Sequence, residues 1–411
     1  MTDDAQRPLP GDGPLPGDAG PGESGPILAD TQLIGAEAFR DTFGESLDAA
    51  LDLSTWPPGG DLVALYHQLE EELAVASRDE LSHMDAIRRS VLPRIARRPG
   101  APDGMGFFRF SLDDIRGAHR SLLFNGGVEA VRATVVAHET LALTVTQLGI
   151  SLVSYHGDRG TWGHRLFRRD LRSSPGTVEQ QAVRLIQQRQ AGAADEGLAE
   201  QRMSMLARRG ILAYAERSVL LNESSAPWRL GAGNPVPFEL LTGAGSMELA
   251  TRSTELLQRL VQDHGRFVFV SPQSRERGLL TVGNALAPLE YVVLDNMLAR
   301  MRALTERSHF TAHEKGIVDE FVAEIGPEIV MGIYRASEIG QPRIFYGHRE
   351  RIHEAALIAI ADSVLHEHRA FPLLLDLAEQ VCRGMFPPAE ITGISQQAHI
   401  DSGLPLNYVS D

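Results

Sequence analysis

Residues 128–141, VEAVRATVVAHETL, alternate apolar and β-branched side chains around one cation, Arg132. Alternation of this kind has the period of a β-strand with one face on a core, so Arg132 is held at a fixed place beside a sheet. Working outward, FFRFS (107–111) precedes this strand, and LALTVTQLGI (141–150) and LVSYHG (152–157) follow it through short links. Such spacing predicts an antiparallel meander. Helical periodicity then covers 177–191 and 198–222, and 227–245, PWRLGAGNPVPFELLTGAG, reads as a loop. A helix over 246–264 leads to RFVFVS (266–271), a helical stretch leads to EYVVLD (290–295), and a helix over 313–325 leads to IVMGIYRA (329–336) and PRIFYGH (342–348). Helices over 349–367 and 373–385 close the pattern. A meander followed by alternating helices and strands predicts the α/β class, a mixed sheet flanked by helices.

The chain has 411 residues, of which 43% are apolar and 23% charged, values of a soluble globular protein with a full core. No run of eighteen apolar residues and no export-type N-terminus is visible, so no membrane span is expected and a cytoplasmic location follows by default. Cys382, the one cysteine, lies in the apolar helical stretch LLLDLAEQVCRGMF and reads as a core residue. The formal charge of −15 opposes wrapping nucleic acid by bulk electrostatics, so any DNA contact is local or supplied by a partner.

Three regions are expected. Residues 1–27, with the near repeat PLPGDGPLPGDAG, form a disordered Pro/Gly/Asp-rich tail. Residues 28–100 form an N-terminal helical region that includes AEAFRDTFGESLDAALDL (36–53) and a long helix from about 60 to 96. Its end carries Arg88, Arg89, Arg94, Arg97 and Arg98, which form either a solvated helix end or a contact for DNA or a partner. Residues 101–411 form the sheet domain.

The meander followed by helix–strand alternation is similar to the ribonuclease H-like order, and the segment from about 128 to 400 resembles the NurA family of nucleases, partners of HerA-type hexameric DNA-translocating ATPases. Where that family carries Asp-Gly-Ser or Asp-Gly-Thr on its first strand, this chain has Arg132-Ala133-Thr134. A helical glutamate of the family matches Glu216 in GILAYAERSVLLNE, and a second Asp-Gly falls at Ala232-Gly233. The family's C-terminal Tyr-Pro-x-x-Leu-x-x-Ala-His matches Phe371, Pro372, Leu375, Ala378 and Glu379. The resemblance implies a Mn²⁺- or Mg²⁺-dependent nuclease site, a symmetric dimer on a hexameric motor, and a role in DNA repair by end resection or in phage defence. It also implies that positions 132 and 379 face one pocket, where an arginine and a glutamate would pair in place of a metal. The alternative is an Arg132 that points to solvent from an edge strand, because a slip of one residue turns every side chain of a strand over.

Three functional readings remain open at this level. In the first, the metal ligands are mostly lost and nuclease activity is weakened or absent, with no cofactor needed. In the second, Glu139, Glu216, Glu239 and Glu379 converge to hold Mn²⁺ or Mg²⁺, although a neighbouring guanidinium repels a divalent ion. In the third, the chain is a DNA or protein adaptor that uses the Arg88–Arg98 block. HRLFRRDLR (164–172), with Arg165, Arg168 and Arg169, reads as a phosphate-tracking or partner-docking segment, or as a solvated loop. SPQSRERG (271–278) reads as an anion-binding helix start of low specificity. His366 and His368 are two apart, which on a helix points them to different sides and opposes a metal site. The turns GAGNP and TGAGS lack the spacing and lysine of nucleotide-binding loops.

Overall fold

A computed structural model describes residues 36–56, 62–97, 104–139, 143–157, 160–170, 179–180, 183, 206–273, 277–306, 310–403 and 405. Its centre is a nine-stranded sheet in the order β1-β7-β8-β9-β6-β5-β2-β3-β4. The strands are β1 (Gly106–Arg109), β2 (Val128–Glu139), β3 (Leu143–Val153), β4 (Thr161–Asp170), β5 (Trp228–Ala232), β6 (Phe267–Val270), β7 (Glu290–Asn296), β8 (Ile329–Arg335) and β9 (Arg343–His348). β2, β3 and β4 form the meander. β5 adds parallel to the other side of β2, and β6 adds parallel to β5. β9, β8, β7 and β1 continue the sheet antiparallel.

Period-2 alternation distributes the strand side chains between two cores. Val128, Ala130, Trp228, Leu230, Val268 and Val270 face a layer that includes the helices Leu112–Ala118, Ile352–Ser363 and Leu373–Met385. Val131, Ala133, Leu148, Ile150, Phe267 and Phe269 face the helices Ile211–Asn222, Met247–Gln258 and Ala312–Ile325. The result is a helix–sheet–helix sandwich, as expected of a mixed sheet covered on both faces. Helix starts follow local chemistry: Ser111 with Asp114, and Thr311 with Glu314, close reciprocal capping boxes.

Three strands differ from the reading of the sequence. FFRFS, expected in the meander, supplies β1 at the opposite edge of the sheet, where it pairs with β7, because a run of four residues carries no information about its partner. The third meander strand is TWGHRLFRRD, read above as a basic segment or loop, whereas LVSYHG only completes β3 and then turns. Arginines at alternate and adjacent positions hide the alternation, yet Phe167 still packs on the second core while Trp162 and Leu166 stay exposed. WRLGA, read as part of a loop, is β5, a central strand between β2 and β6. Five residues followed at once by Gly, Asn and Pro carry too little periodicity to declare a strand.

The helix expected over 60–96 is an α-helix from Leu62 to Ser90, followed by a 3-10 segment, Leu92–Arg97, that contains Pro93. A further helix, Pro388–Ser402, follows the one at 373–385, with proline at its first position. The tail at 1–27, Arg98 and most of the helix expected over 177–191 lie outside the described residues. Among those described, no helix is long and apolar enough to cross a membrane.

Candidate functional site

β2 runs beside β5 only from Val128 to Ala130. Beyond that point β5 leaves, while β2 stays paired to β3 as far as Glu139. A gap opens in the sheet along the free edge of β2, beyond the carboxyl end of β5, and α/β proteins place their sites beyond such strand ends. Arg132 lies here. It shares the face of Val128 and Ala130, because the side-chain period is two, and therefore meets the helix Leu373–Met385.

On that helix Glu379 accepts a hydrogen bond from Arg132 Nη2 at 2.6 Å. The side chains of Arg132 and Glu379 are 9% and 21% exposed, so this pair is largely withdrawn from water. The other Glu379 oxygen faces Arg383 Nη2 at 2.9 Å, one helical turn later. Burial alone would raise the Glu379 pKa, but the Arg132 guanidinium, with help from Arg383 and Arg369, outweighs it and holds the group below the ordinary carboxylate value. The helix is fixed to β3 by Ser151 Oγ, which donates to the Ala378 carbonyl at 2.6 Å. It ends where Phe386 lies against Gly149, a position at which any Cβ would collide with the ring.

Glu216 approaches from the opposite layer, on the helix Ile211–Asn222. Its Oε1 accepts from the Ala133 backbone N–H at 3.1 Å, capping the β2 edge that β5 vacates. Its Oε2 accepts from Arg217 at 2.9 Å. Arg217, only 4% exposed, also donates to the carbonyls of Asn234 and Pro235 in the turn after β5. Desolvation lowers the Arg217 pKa, and the charges of Glu216 and Glu239 oppose that shift. The gap is thus filled by two guanidinium–carboxylate pairs, one from each helical layer. Cys382, buried as expected, sits beside them with its thiol pushed up to about 11 by burial.

The candidate residues divide clearly. Arg132, Glu379 and Glu216 come together at the gap, joined by Arg217 and Arg383, which the sequence reading did not single out. Arg383 was within reach of a spacing argument, being four residues after Glu379, whereas Arg217 was not, since only the fold brings it to the turn after β5. Glu239 lies on the short helix Phe238–Leu241 and is 4.0 Å from Arg209. Glu139 ends β2, and its side chain lies outside the described residues.

The donor set does not suit a divalent cation. Both Glu216 oxygens and both Glu379 oxygens face N–H donors, and Arg132 places a fixed positive charge among them. Hard divalent ions require several uncommitted oxygens. Among the described residues no group of three or more His, Cys, Asp or Glu side chains is arranged to hold a metal.

The basic candidates are dispersed. Arg88 is used within the chain, donating to both Glu290 oxygens at 2.6 and 2.7 Å and to the Ala285 carbonyl. Arg89 is exposed and 3.7 Å from Asp85, and Arg94 and Arg97 are exposed. Arg165 and Arg168 are exposed on β4, and Arg169 belongs to the same strand.

Fold and site together define a three-layer α/β protein with a charge-paired gap at the edge of its central strand. Among solved structures, the chain is similar to the crystal structure of the NurA nuclease from Sulfolobus solfataricus, with 9% identity and a TM-score of 0.42 over 81% of this chain and 98% of that one. It is also similar to a crystal structure of NurA with manganese, with 7% identity and a TM-score of 0.36 over 66% and 92% of the two chains. No family model matches the sequence, and no curated protein matches it.

Proposed function

We propose that this chain is a NurA-like subunit with a ribonuclease H-like core, acting with a HerA-type hexameric ATPase in DNA end resection or phage defence, its nuclease activity weakened or lost. The observation that carries the reading is the 2.6 Å contact between Arg132 and Glu379, a guanidinium at the position where the resemblance implies a metal-binding aspartate. The order of the strands supports it: a three-stranded meander, β2 to β4, with β5 and β6 added parallel to its first strand. In this role the protein would receive DNA from the motor as a homodimer, and its net charge of −15 suits a subunit that does not capture DNA alone.

The test is to incubate the purified protein with labelled single- and double-stranded DNA and Mn²⁺, beside Glu216→Ala and Glu216→Gln. The glutamine keeps an acceptor for the Ala133 N–H and so guards against simple loss of folding. No cutting above background by any of the three is expected. Robust Mn²⁺-dependent cutting that both variants abolish would overturn the reading and favour an active nuclease.

A further inference from the structure

The helix Leu62–Ser90 is 29 residues long and buries none of them. Val63, Leu65, Val75 and Leu81 lie off any single line, but five other apolar residues are ordered. Leu62, Tyr66, Leu69, Leu73 and Ala76 recur at alternating steps of four and three, the seam of a coiled coil. Further along the same line Ile87 packs on the second core, where Arg88 ties the helix to Glu290. Glu80 and His83 take the two positions between, so the apolar seam occupies the outer part of the helix, where the described residues leave Leu62 46%, Tyr66 60%, Leu69 47% and Leu73 58% exposed. An apolar stripe of this size on a soluble protein marks a docking surface.

Charge decides what docks there. The positions flanking the seam include Glu70, Glu72 and Asp79, and Glu71 lies on the back of the same turn. A second copy of this helix would offer these acids no cation in return, because its own flanking positions 63, 65, 70, 72, 77 and 79 are Val, Leu, Glu, Glu, Ser and Asp, and an antiparallel copy would set acid against acid. The preceding chain is no better matched, because residues 1–61 carry twelve acids and two arginines. We propose that this helix pairs with a partner protein's amphipathic helix that has an apolar stripe and lysines or arginines on its flanks. The inference does not depend on the nuclease-like reading of the sheet gap, and its failure would leave that reading untouched.

The probe is a synthetic helical peptide about four heptads long, with leucine along its seam and lysine on both flanks. Two controls accompany it: the same seam with glutamate flanks, and a scrambled peptide of the lysine composition. Full-length protein should bind the lysine-flanked peptide. Binding should weaken about tenfold or more in Leu69→Glu/Leu73→Glu and in Glu70→Lys/Glu72→Lys, and the glutamate-flanked peptide should not bind. All four substituted side chains are solvent-exposed, and unchanged circular dichroism verifies the fold. Equal binding of the scrambled peptide, no binding of the lysine-flanked one, or indifference to Leu69→Glu/Leu73→Glu would overturn the proposal. Self-association in sedimentation that Leu69→Glu/Leu73→Glu abolishes would overturn it too, by assigning the face to a second copy.

Discussion

Arg132 is 8% exposed and Glu379 is its hydrogen-bonded counter-charge. Removing one member of a largely buried pair leaves the other without compensation, at a cost of about 3 kcal/mol, whereas an apolar pair of similar volume is close to neutral. Glu379→Ala should therefore lower the unfolding free energy in urea by about that amount, and Arg132→Met/Glu379→Leu should recover most of the loss. If the single and double variants are equally unstable, the pair is not what holds this joint. The depressed pKa of Glu379 fixes a sign as well. Its stabilisation is present above the unfolded value and is lost as pH falls through the lower folded value, so Glu379→Gln should remove part of the acid-side loss of stability. Glu216 and Arg217 form the second joint. Because Arg217 is the more deeply buried, Glu216→Ala should be more damaging than Glu216→Gln, which keeps an acceptor.

At the level of elements, the helices Ile352–Ser363 and Leu373–Met385 meet around Asp362, which is fully buried. Tyr155 donates to one Asp362 oxygen and the Leu374 N–H to the other. Burial, reinforced by the nearby charge of Asp376, pushes its pKa up to about 7. A raised carboxyl pKa means that the folded chain holds a proton the unfolded chain has released, so this group makes stability fall as pH rises from about 4 to about 7. Asp362→Asn should flatten that slope in denaturation midpoints taken across this range, and an unchanged slope would assign it to another group. The edge strand β4 calls for a different measurement. Among the described residues it pairs with β3 alone, and cations on an exposed edge discourage strand addition. Replacing Arg165 and Arg168 with valine should leave stability nearly unchanged but raise self-association, read by light scattering.

For the whole molecule, a charge of −15 sets the terms on which DNA is met. Cations are present but dispersed, and Arg88 is engaged with Glu290 inside the fold. Isolated protein should therefore bind duplex DNA weakly in fluorescence anisotropy, and about 0.2 M salt should remove most of that binding. Tight, salt-resistant binding would show that the cations act together.

How much of this was legible depends on whether the signal was local. β2, with its alternation around Arg132, and the helix at 373–385, with its apolar stripe, were readable because the neighbouring residues of each carry the pattern. β4 and β5 were not: one hides its alternation under arginines, and the other is a five-residue strand that only its partners on both sides make necessary. The sequence by itself determined the class, a mixed sheet between helices, and put Arg132 on a strand and Glu379 on a helix, because periodicity and turn residues act within a few positions. That these two side chains touch across 247 residues, with Glu216 reaching the same gap from the other layer, was decided only by the tertiary structure. Contact between distant residues depends on how β5 diverges from β2 and on which layer each helix joins, and no local pattern encodes either.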